Sequence, residues 1–286
     1  MLSILIVNWN TREHLRRCLE SIYRHPPRIE WEVIVVDNAS SDGSAEMVAK
    51  DFPEVRLEAS ERNLGYAAGN NLAFNMARGS YLLTLNPDTE FFDDSLSKAV
   101  GTIIAKQAVG ALTGKFLNPD GSHQPNIRGF PRPMSILWEI SGIAKLFPNS
   151  KFFGAYRMKY FDYSRPGIAE QPMGTFILYR KEALTEVGGL DERFPIFFNE
   201  VDLLYRLHQA GWIIWYTPEV QLIHYGGEST KQVRKSMIWE SHRSLIRYFL
   251  KWHVRPWNLV FFLPLFAAIY IGALVRARGW DAGFKG

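Results

Sequence analysis

The chain has 286 residues, 47% of them hydrophobic, and a formal net charge of +4. That length and composition can bury a full core and suit one large or two small domains, and the single cysteine, Cys18, excludes an intrachain disulfide framework and fits a reducing compartment. The charge is unevenly spread: from Lys231 onward ten Lys/Arg stand against two Asp/Glu, a net of +8, which leaves 23 basic and 27 acidic groups, a net of −4, before it.

The apolar run Leu2–Val7 is too short for a secretory signal and reads as a core strand ending in Asn8-Trp9-Asn10. Asn10 with Glu13 resembles a capping box. Leu15, Cys18, Leu19 and Ile22 then recur at helical spacing until Pro26-Pro27 stops the helix. Glu32–Val36 is a second strand, followed by Asp37-Asn38 and a polar turn that hands over to a helix near Ala45–Lys50. A third helix, about Tyr66–Ala77, is expected to close with Gly79 as its C-terminal cap. Tyr81–Leu85 is a strand before Asn86-Pro87-Asp88, and Val109–Thr113 adds another.

Residues 115–172 are rich in Pro, Gly, Asn and aromatics and read as an irregular insertion or a second-substrate lobe, with a short apolar helix at Ser135–Leu146. The earlier pattern returns with a strand at Thr175–Tyr179, a helix near Glu200–Ala210 ended by Gly211, and strands at Ile213–Tyr216 and Val220–His224. Strands alternating with helices predict an α/β fold with a parallel sheet of βαβ units.

Three strands that end in amides and carboxylates describe a site for a polar, phosphorylated molecule, since open α/β sheets bind ligands beyond the strand carboxyl ends. Asp88 is placed to hold Mg²⁺ or Mn²⁺ against a phosphate, or else to cap its own turn. Asp37 either accepts hydrogen bonds from a ribose or base or serves an Asx-turn. The segment Asn63–Asn71, with Gly65 and Gly69 at a helix start, offers backbone N–H groups to an anion, or is a plain loop running into a helix. Glu200 and Asp202 point to different faces. Glu200 either takes a proton from an acceptor hydroxyl or favours the helix dipole, while Asp202 and Arg206 form a structural ion pair. His224, before Tyr225-Gly226-Gly227, reaches a metal or is a structural histidine.

The order of these motifs is more specific than any one of them. Ile6-Val7-Asn8-Trp9-Asn10, Val36-Asp37-Asn38 with Asp42-Gly43-Ser44, Asn63-Leu64-Gly65-Tyr66, Leu85-Asn86-Pro87-Asp88, Val187-Gly188-Gly189-Leu190-Asp191, Phe198-Asn199-Glu200-Val201-Asp202 and His224-Tyr225-Gly226-Gly227 together resemble family 2 glycosyltransferases, in their rhamnosyltransferase-like branch. The resemblance spans roughly residues 1–230. It implies a GT-A fold, a Rossmann-like, mostly parallel mixed sheet flanked by helices, and an inverting enzyme that uses a nucleoside-diphosphate sugar. By position, Asn8, Asp37 and Asn38 would line the nucleoside pocket, and Arg62, Asn63, Asn70 and Asn86 would contact the donor. Asp88, with His224, would hold the metal, and Glu200 would be the catalytic base. Two departures stand out: Asn86 replaces the first acid of the metal motif, and Asn199-Glu200 replaces a Glu-Asp pair.

The expected organisation is a nucleotide-sugar half over residues 1–114, an acceptor and catalytic half over 115–230, and a basic, apolar tail over 231–286. Lys231, Lys235, Arg243, Arg247, Lys251 and Arg255 share four-residue spacing, a basic stripe on a helix. The uncharged run 256–275 that follows is long enough to span a bilayer, but Pro264 interrupts it and basic residues flank both ends, so it reads as a single span, an interfacial or re-entrant segment, or a buried core or oligomer helix. A basic tail suits nucleic acid or an anionic membrane. The expectation is the membrane, on its cytoplasmic side, with a saccharide or polyprenyl-linked saccharide as acceptor, no nucleic acid, and an oligomer left open. The alternative from another class is a catalytically silent sugar-nucleotide-binding or scaffold subunit.

Overall fold

The structure, a computed structural model, describes residues 1–226 and 234–278. Its centre is a ten-stranded mixed sheet. The first half is βαβ winding: β1 (Leu2–Asn8), α1 (Arg12–Arg24), β2 (Trp31–Asp37), α2 (Ser44–Asp51), β3 (Arg56–Ala59), α3 (Tyr66–Met76) and β4 (Tyr81–Leu85). Strands β2 and β4 both pair in parallel with β1, on opposite sides, and β3 continues beyond β2. The chain therefore reverses its direction of winding at β1, and the polar ends of β2, β1 and β4 lie side by side at that switch point.

The second half comprises β5 (Thr89–Glu90), α4 (Ser95–Ala105), β6 (Val109–Leu117), β7 (His123–Gln124), β8 (Ile127–Arg128), α5 (Pro133–Ile140), α6 (Ile143–Leu146), β9 (Gly167–Ile168), β10 (Gln171–Pro172), β11 (Phe176–Arg180), α7 (Lys181–Val187), α8 (Asn199–Gln209) and β12 (Ile213–His224). The sheet order is β3-β2-β1-β4-β11-β6-β12-β5, with β11 antiparallel to both β4 and β6. Helices α9 (Arg234–Trp252) and α10 (Leu259–Ala277) end the described chain.

Alternation along the strands explains the two cores. Leu2, Ile4 and Ile6 face α1, α2 and α4, whereas Leu5 and Val7 face α3, α8 and the C-terminal helices. Gly69 lets α3 lie close on β1, because a Cβ there would come 2.9 Å from Val7 Cγ1.

Several local expectations give way to longer-range contacts. The Asn10–Glu13 capping box does not form: α1 starts after Thr11, and the Arg12 N–H donates to Asp42 Oδ2 at 2.8 Å. The same carboxylate accepts from Ser44 N at the start of α2 (3.1 Å), so one acid serves two helices. Gly79 is not a helix cap. α3 ends at Ala77, and the Gly79 N–H donates to Ser3 Oγ at 2.8 Å where a Cβ would collide with Met1 O and Ser3 N. The two expected strands at 213–216 and 220–224 are one strand, β12, whose register shifts against β6 between Tyr216 and Gln221. The expected helix Ser135–Leu146 is broken into α5 and α6 at Gly142, which takes φ +80°.

The C-terminal helices are docked on the α/β fold. Tyr248 and Phe249 of α9 and Leu265 and Ile269 of α10 lie in the same apolar cluster as Phe194 and Leu204. At the junction, fully buried Asp202 pairs with Arg206 Nε at 2.9 Å, the expected ion pair, and with Lys251 Nζ at 2.6 Å, and it accepts from Trp252 Nε1 at 2.8 Å. Removing a partner from a buried charge cluster costs about 3–5 kcal/mol. Asp202→Ala is therefore expected to lower unfolding stability by about that much in urea titrations and to expose α9 to limited proteolysis; stability within about 0.5 kcal/mol of the parent would remove Asp202 from this role.

Candidate active site

The first group of site residues closes the ends of β1 and β2. Asn8, fully buried, donates through Nδ2 to Asp37 Oδ1 (2.9 Å) and Ser40 Oγ (3.2 Å), and accepts from Thr11 Oγ1 (2.7 Å). Asp37 Oδ2 accepts from Ser40 N at 2.9 Å, three residues on, so the carboxylate braces its own loop. Ala39 beside it takes φ +57°, a conformation that costs a non-glycine residue free energy and that clusters at functional sites. Asn38 donates to Gly65 O at 3.1 Å and so ties this loop to the start of α3.

The α3 start is built differently from an anion cradle. The N–H groups of Tyr66 and Ala67 both donate to Pro195 O, at 2.7 and 3.1 Å, which commits two helix-terminal donors to the protein itself. Gly65, at φ +84°, is required where its Cα passes that carbonyl. Asn63 accepts from Gly65 N at 2.9 Å, Arg62 has an exposed side chain, and buried Asn70 donates to Tyr66 O at 2.9 Å with its Oδ1 left without a partner among the described residues. Asn71 clamps the loop before α8: it donates to Leu190 O (2.9 Å) and accepts from Leu190 N (2.8 Å).

The sheet order brings Asp88, after β4, to His224 at the end of β12. His224 Nε2 lies 3.6 Å from Asp88 Oδ1 and 3.4 Å from Thr175 Oγ1, and Nδ1 lies 2.7 Å from Gln124 Oε1. Both Asp88 and His224 are nearly buried. With Nδ1–H donating to Gln124, Nε2 is the lone-pair nitrogen turned toward the carboxylate, the arrangement in which an outer-shell acceptor orients a ligating histidine. The 3.6 Å separation is too long for a strong hydrogen bond, and a carboxylate facing an imidazole nitrogen is donor chemistry that would hold a divalent cation. No cluster of three or more His, Cys, Asp or Glu is found among the described residues, so the remaining ligands of such an ion would come from substrate or water. Asn86 is half-buried; its backbone N–H donates to Thr175 O, and its carbonyl accepts from Thr89 Oγ1. Cys18 lies just below, and burial pushes its thiol up to about 12, which makes it inert.

Glu200 stands in the first turn of α8. Burial pushes its carboxyl up to about 7, against the opposing pull of its own backbone N–H, of Arg128 and of Val201 N–H. Gly174 makes room for it: a Cβ there would come 3.3 Å from Glu200 Cγ. Tyr66 donates to Gly174 O at 3.2 Å and lies within electrostatic reach of both Glu200 and Asp88. Burial first, then those two acids, pushes its phenol far above the ordinary range, so Tyr66 stays neutral beside them. Asn199 is buried and donates to Ile196 O at 2.7 Å, shaping the turn that presents Glu200.

A family model described as glycosyl transferase family 2 matches residues 3–188, well over half of the chain. The chain belongs to that family. This glycosyltransferase is 27% identical over 274 residues to the N-acetylglucosaminyl-diphospho-decaprenol L-rhamnosyltransferase of Mycobacterium tuberculosis, which covers 90% of this chain and 87% of that protein. It is 25% identical to the succinoglycan biosynthesis protein ExoA of Rhizobium meliloti, over 98% of this chain and 79% of that one. Among solved structures, the mannosyltransferase PcManGT of Pyrobaculum calidifontis, in complex with GDP-Man and Mn²⁺, aligns at a TM-score of 0.58 with 17% identity, covering 100% of this chain and 76% of its own. GalNAc-T7 with UDP, GalNAc and Mn²⁺ aligns at 0.61 with 15% identity, over 88% and 48%. The fold is GT-A.

Sequence reasoning missed Gln124, Thr175, Tyr66, Gly174 and Arg128 as members of this glycosyltransferase site. Only Tyr66 and Thr175 carried a signal, through their places at a helix start and a strand start. If Gln124 orients His224 for a metal, Gln124→Leu should raise the Mn²⁺ concentration needed for half-maximal activity by about 10–100-fold. A metal titration at fixed donor measures this, and an unchanged requirement would leave the Gln124 contact without that role.

Proposed function

We propose that this glycosyltransferase is an inverting enzyme of cell-surface polysaccharide synthesis. It moves a sugar, with L-rhamnose the first candidate, from a nucleoside diphosphate to a saccharide or polyprenyl-linked saccharide, at the cytoplasmic face of the membrane. The observation that carries this reading is the pairing of a carboxyl raised to about 7, Glu200, with a separate Asp88–His224 site, both acids within electrostatic reach of Tyr66. The similarity to a rhamnosyltransferase that uses a decaprenol-linked sugar, along nearly the whole of both chains, supports the substrate class.

Single displacement asks three things of the protein. A base must take the acceptor's proton, and Glu200, with a pKa near working pH, has the tuning that general-base transfer favours. The donor must be held beyond the strand ends, where Asn8 braces Asp37 and Asn38 braces the loop at Gly65, with Arg62, Asn63, Asn70 and Asn86 at the surrounding positions. The diphosphate must leave, and Asp88 with His224 would hold Mg²⁺ or Mn²⁺ there. A bound ion of that kind offsets the charge that develops on the leaving group. No enzyme nucleophile is required, in contrast to a retaining hydrolase with two close carboxyls.

The test is release of nucleoside diphosphate from a panel of nucleotide sugars with Mn²⁺ or Mg²⁺ and a membrane extract as the source of acceptor. Release with one donor, and from dTDP-L-rhamnose first, is expected. Glu200→Gln should lower kcat about 10²–10⁴-fold with donor binding retained. Because Glu200 must be deprotonated to act and its carboxyl is raised to about 7, kcat should fall as pH drops through that value. Arg128 is the charged neighbour that opposes this rise, and Tyr66 and Tyr179 are the titratable groups that feel the Glu200 charge. Donor binding without turnover under all donors would overturn the reading in favour of a silent subunit.

A further inference from the structure

The apolar helix α10 is long enough to cross a bilayer, but its packing gives it another orientation. Trp239 meets Tyr270 (ring centroids 5.1 Å) and Phe249 meets Phe262 (6.1 Å), so α9 and α10 form an antiparallel pair. By that register exposed Arg243 of α9 stands level with about the midpoint of α10. If α10 crossed the bilayer, Arg243 would lie at the hydrocarbon centre, where a charge is costly and rare. The inward residues Leu265 and Ile269 belong to the catalytic domain's own apolar cluster, which fixes α10 alongside that domain. Its outward face is apolar from end to end: Val260, Leu263, Tyr270, Ile271 and Leu274 are all exposed, and Arg255 and Arg278 flank it.

A second apolar surface adjoins it. Helix α5 packs against α10 and exposes Met134 and Leu137, and beyond it Leu146, Phe147 and Phe152 are 74%, 53% and 63% exposed. Exposed large apolar groups at this density mark an interaction site. The same lobe carries exposed Arg132, Lys145, Lys151 and Lys159, while its one acid, Glu139, is buried against Arg157 at 2.6 Å. Apolar tips ringed by cations complement an anionic lipid leaflet, into which an interfacial helix sinks its apolar face while basic residues meet the headgroups.

We propose that α10 lies in the plane of the membrane interface rather than across it, and that the lobe at residues 133–153 enters the same anionic leaflet as a second contact. This rests on the membrane-associated reading above and fixes its geometry.

The test uses the full chain with single cysteines carrying an environment-sensitive fluorophore at Val260→Cys, Leu274→Cys, Leu146→Cys or Phe152→Cys; Cys18 is fully buried and stays unlabelled in the folded protein. Vesicles of phosphatidylcholine with phosphatidylglycerol, carrying quenchers at shallow or deep positions, report depth. Residues 260 and 274 are separated by about 21 Å along the helix. In-plane binding places both at the same shallow depth, equally open to quencher added outside, with the labels at 146 and 152 moving into lipid together with them. A label at one end of α10 shielded from outside quencher would overturn the in-plane orientation while leaving membrane binding intact. Labels at 146 and 152 that stay in water would overturn the second contact. Absence of vesicle binding, with α10 covered instead in a dimer seen by sedimentation, would overturn both and the membrane reading with them. The variant Leu146→Asp/Phe152→Asp, at exposed positions and with circular dichroism unchanged, should weaken vesicle binding by about tenfold or more.

Discussion

A single buried carboxylate, Asp202, organises much of what surrounds the proposed base. It holds Arg206, whose guanidinium donates on to Gly188 O (3.0 Å) and Gly189 O (2.7 Å), and it holds Lys251, whose ammonium also reaches Asp191 at 2.8 Å. Burial raises the Asp191 carboxyl, but the hydrogen bonds from Arg193 and Lys251 outweigh it and hold that acid well below the usual range. The loop from Gly188 to Phe198 is therefore pinned at its start by Arg206, at Leu190 by Asn71, at Asp191 by Lys251 and at Pro195 by the α3 N–H groups. Phe198, at φ +68°, is strained for so bulky a residue and is packed against Tyr248 of α9 at 5.8 Å. Glu200 follows two residues later, so its place is set by contacts from three helices.

The other half of the site depends on sheet topology rather than on a loop. Asp88 and His224 are distant in sequence, and they meet because β5, just after Asp88, pairs with the end of β12: His224 is the register partner of Thr89. The two carboxyls, Asp88 and Glu200, both lie within electrostatic reach of Tyr66, whose phenol burial keeps neutral. Their chemical demands differ. A metal-holding carboxylate works charged, whereas a base must be poised near neutrality, and desolvation raises Glu200 to about 7.

How far the sequence revealed this follows the range of the interactions. Apolar runs such as Leu2–Val7 and Tyr81–Leu85, with polar residues just beyond them, were legible as strands ending in a site, since burial on both faces leaves no other pattern. The fixed order of motifs from Asn8 to Gly227 made the family and fold legible as well. Asp42 capping two helices, Pro195 O occupying the α3 N–H groups, and Gln124 beside His224 were not, because each joins segments whose separation in sequence follows no period. Arg128 and Gln124 also come from a stretch of two-residue strands that carries no hydropathy signal. The segment Asn63–Asn71 was legible only as a helix start open to an anion, and the clamp that Asn71 within it makes on Leu190 has no signal in sequence.

The tail shows the same limit from the other side. Four-residue spacing implied a basic stripe given over to solvent or lipid, but Lys251 is spent on Asp191 and Asp202 and Arg247 on Glu240, while Lys231 lies outside the described residues. Ion pairs within the protein leave only part of that stripe for a membrane, so in the proposed attachment the apolar area on α10 and the neighbouring lobe carries most of the contact. α9 then has two duties. It carries α10 on one side, and through Tyr248, Lys251 and Trp252 it supports the turn that presents Glu200 on the other. If the acceptor is lipid-linked, its reacting hydroxyl sits at a fixed height above the bilayer. A rigid helix shared by the membrane contact and the base sets Glu200 at a matching height without any further moving part.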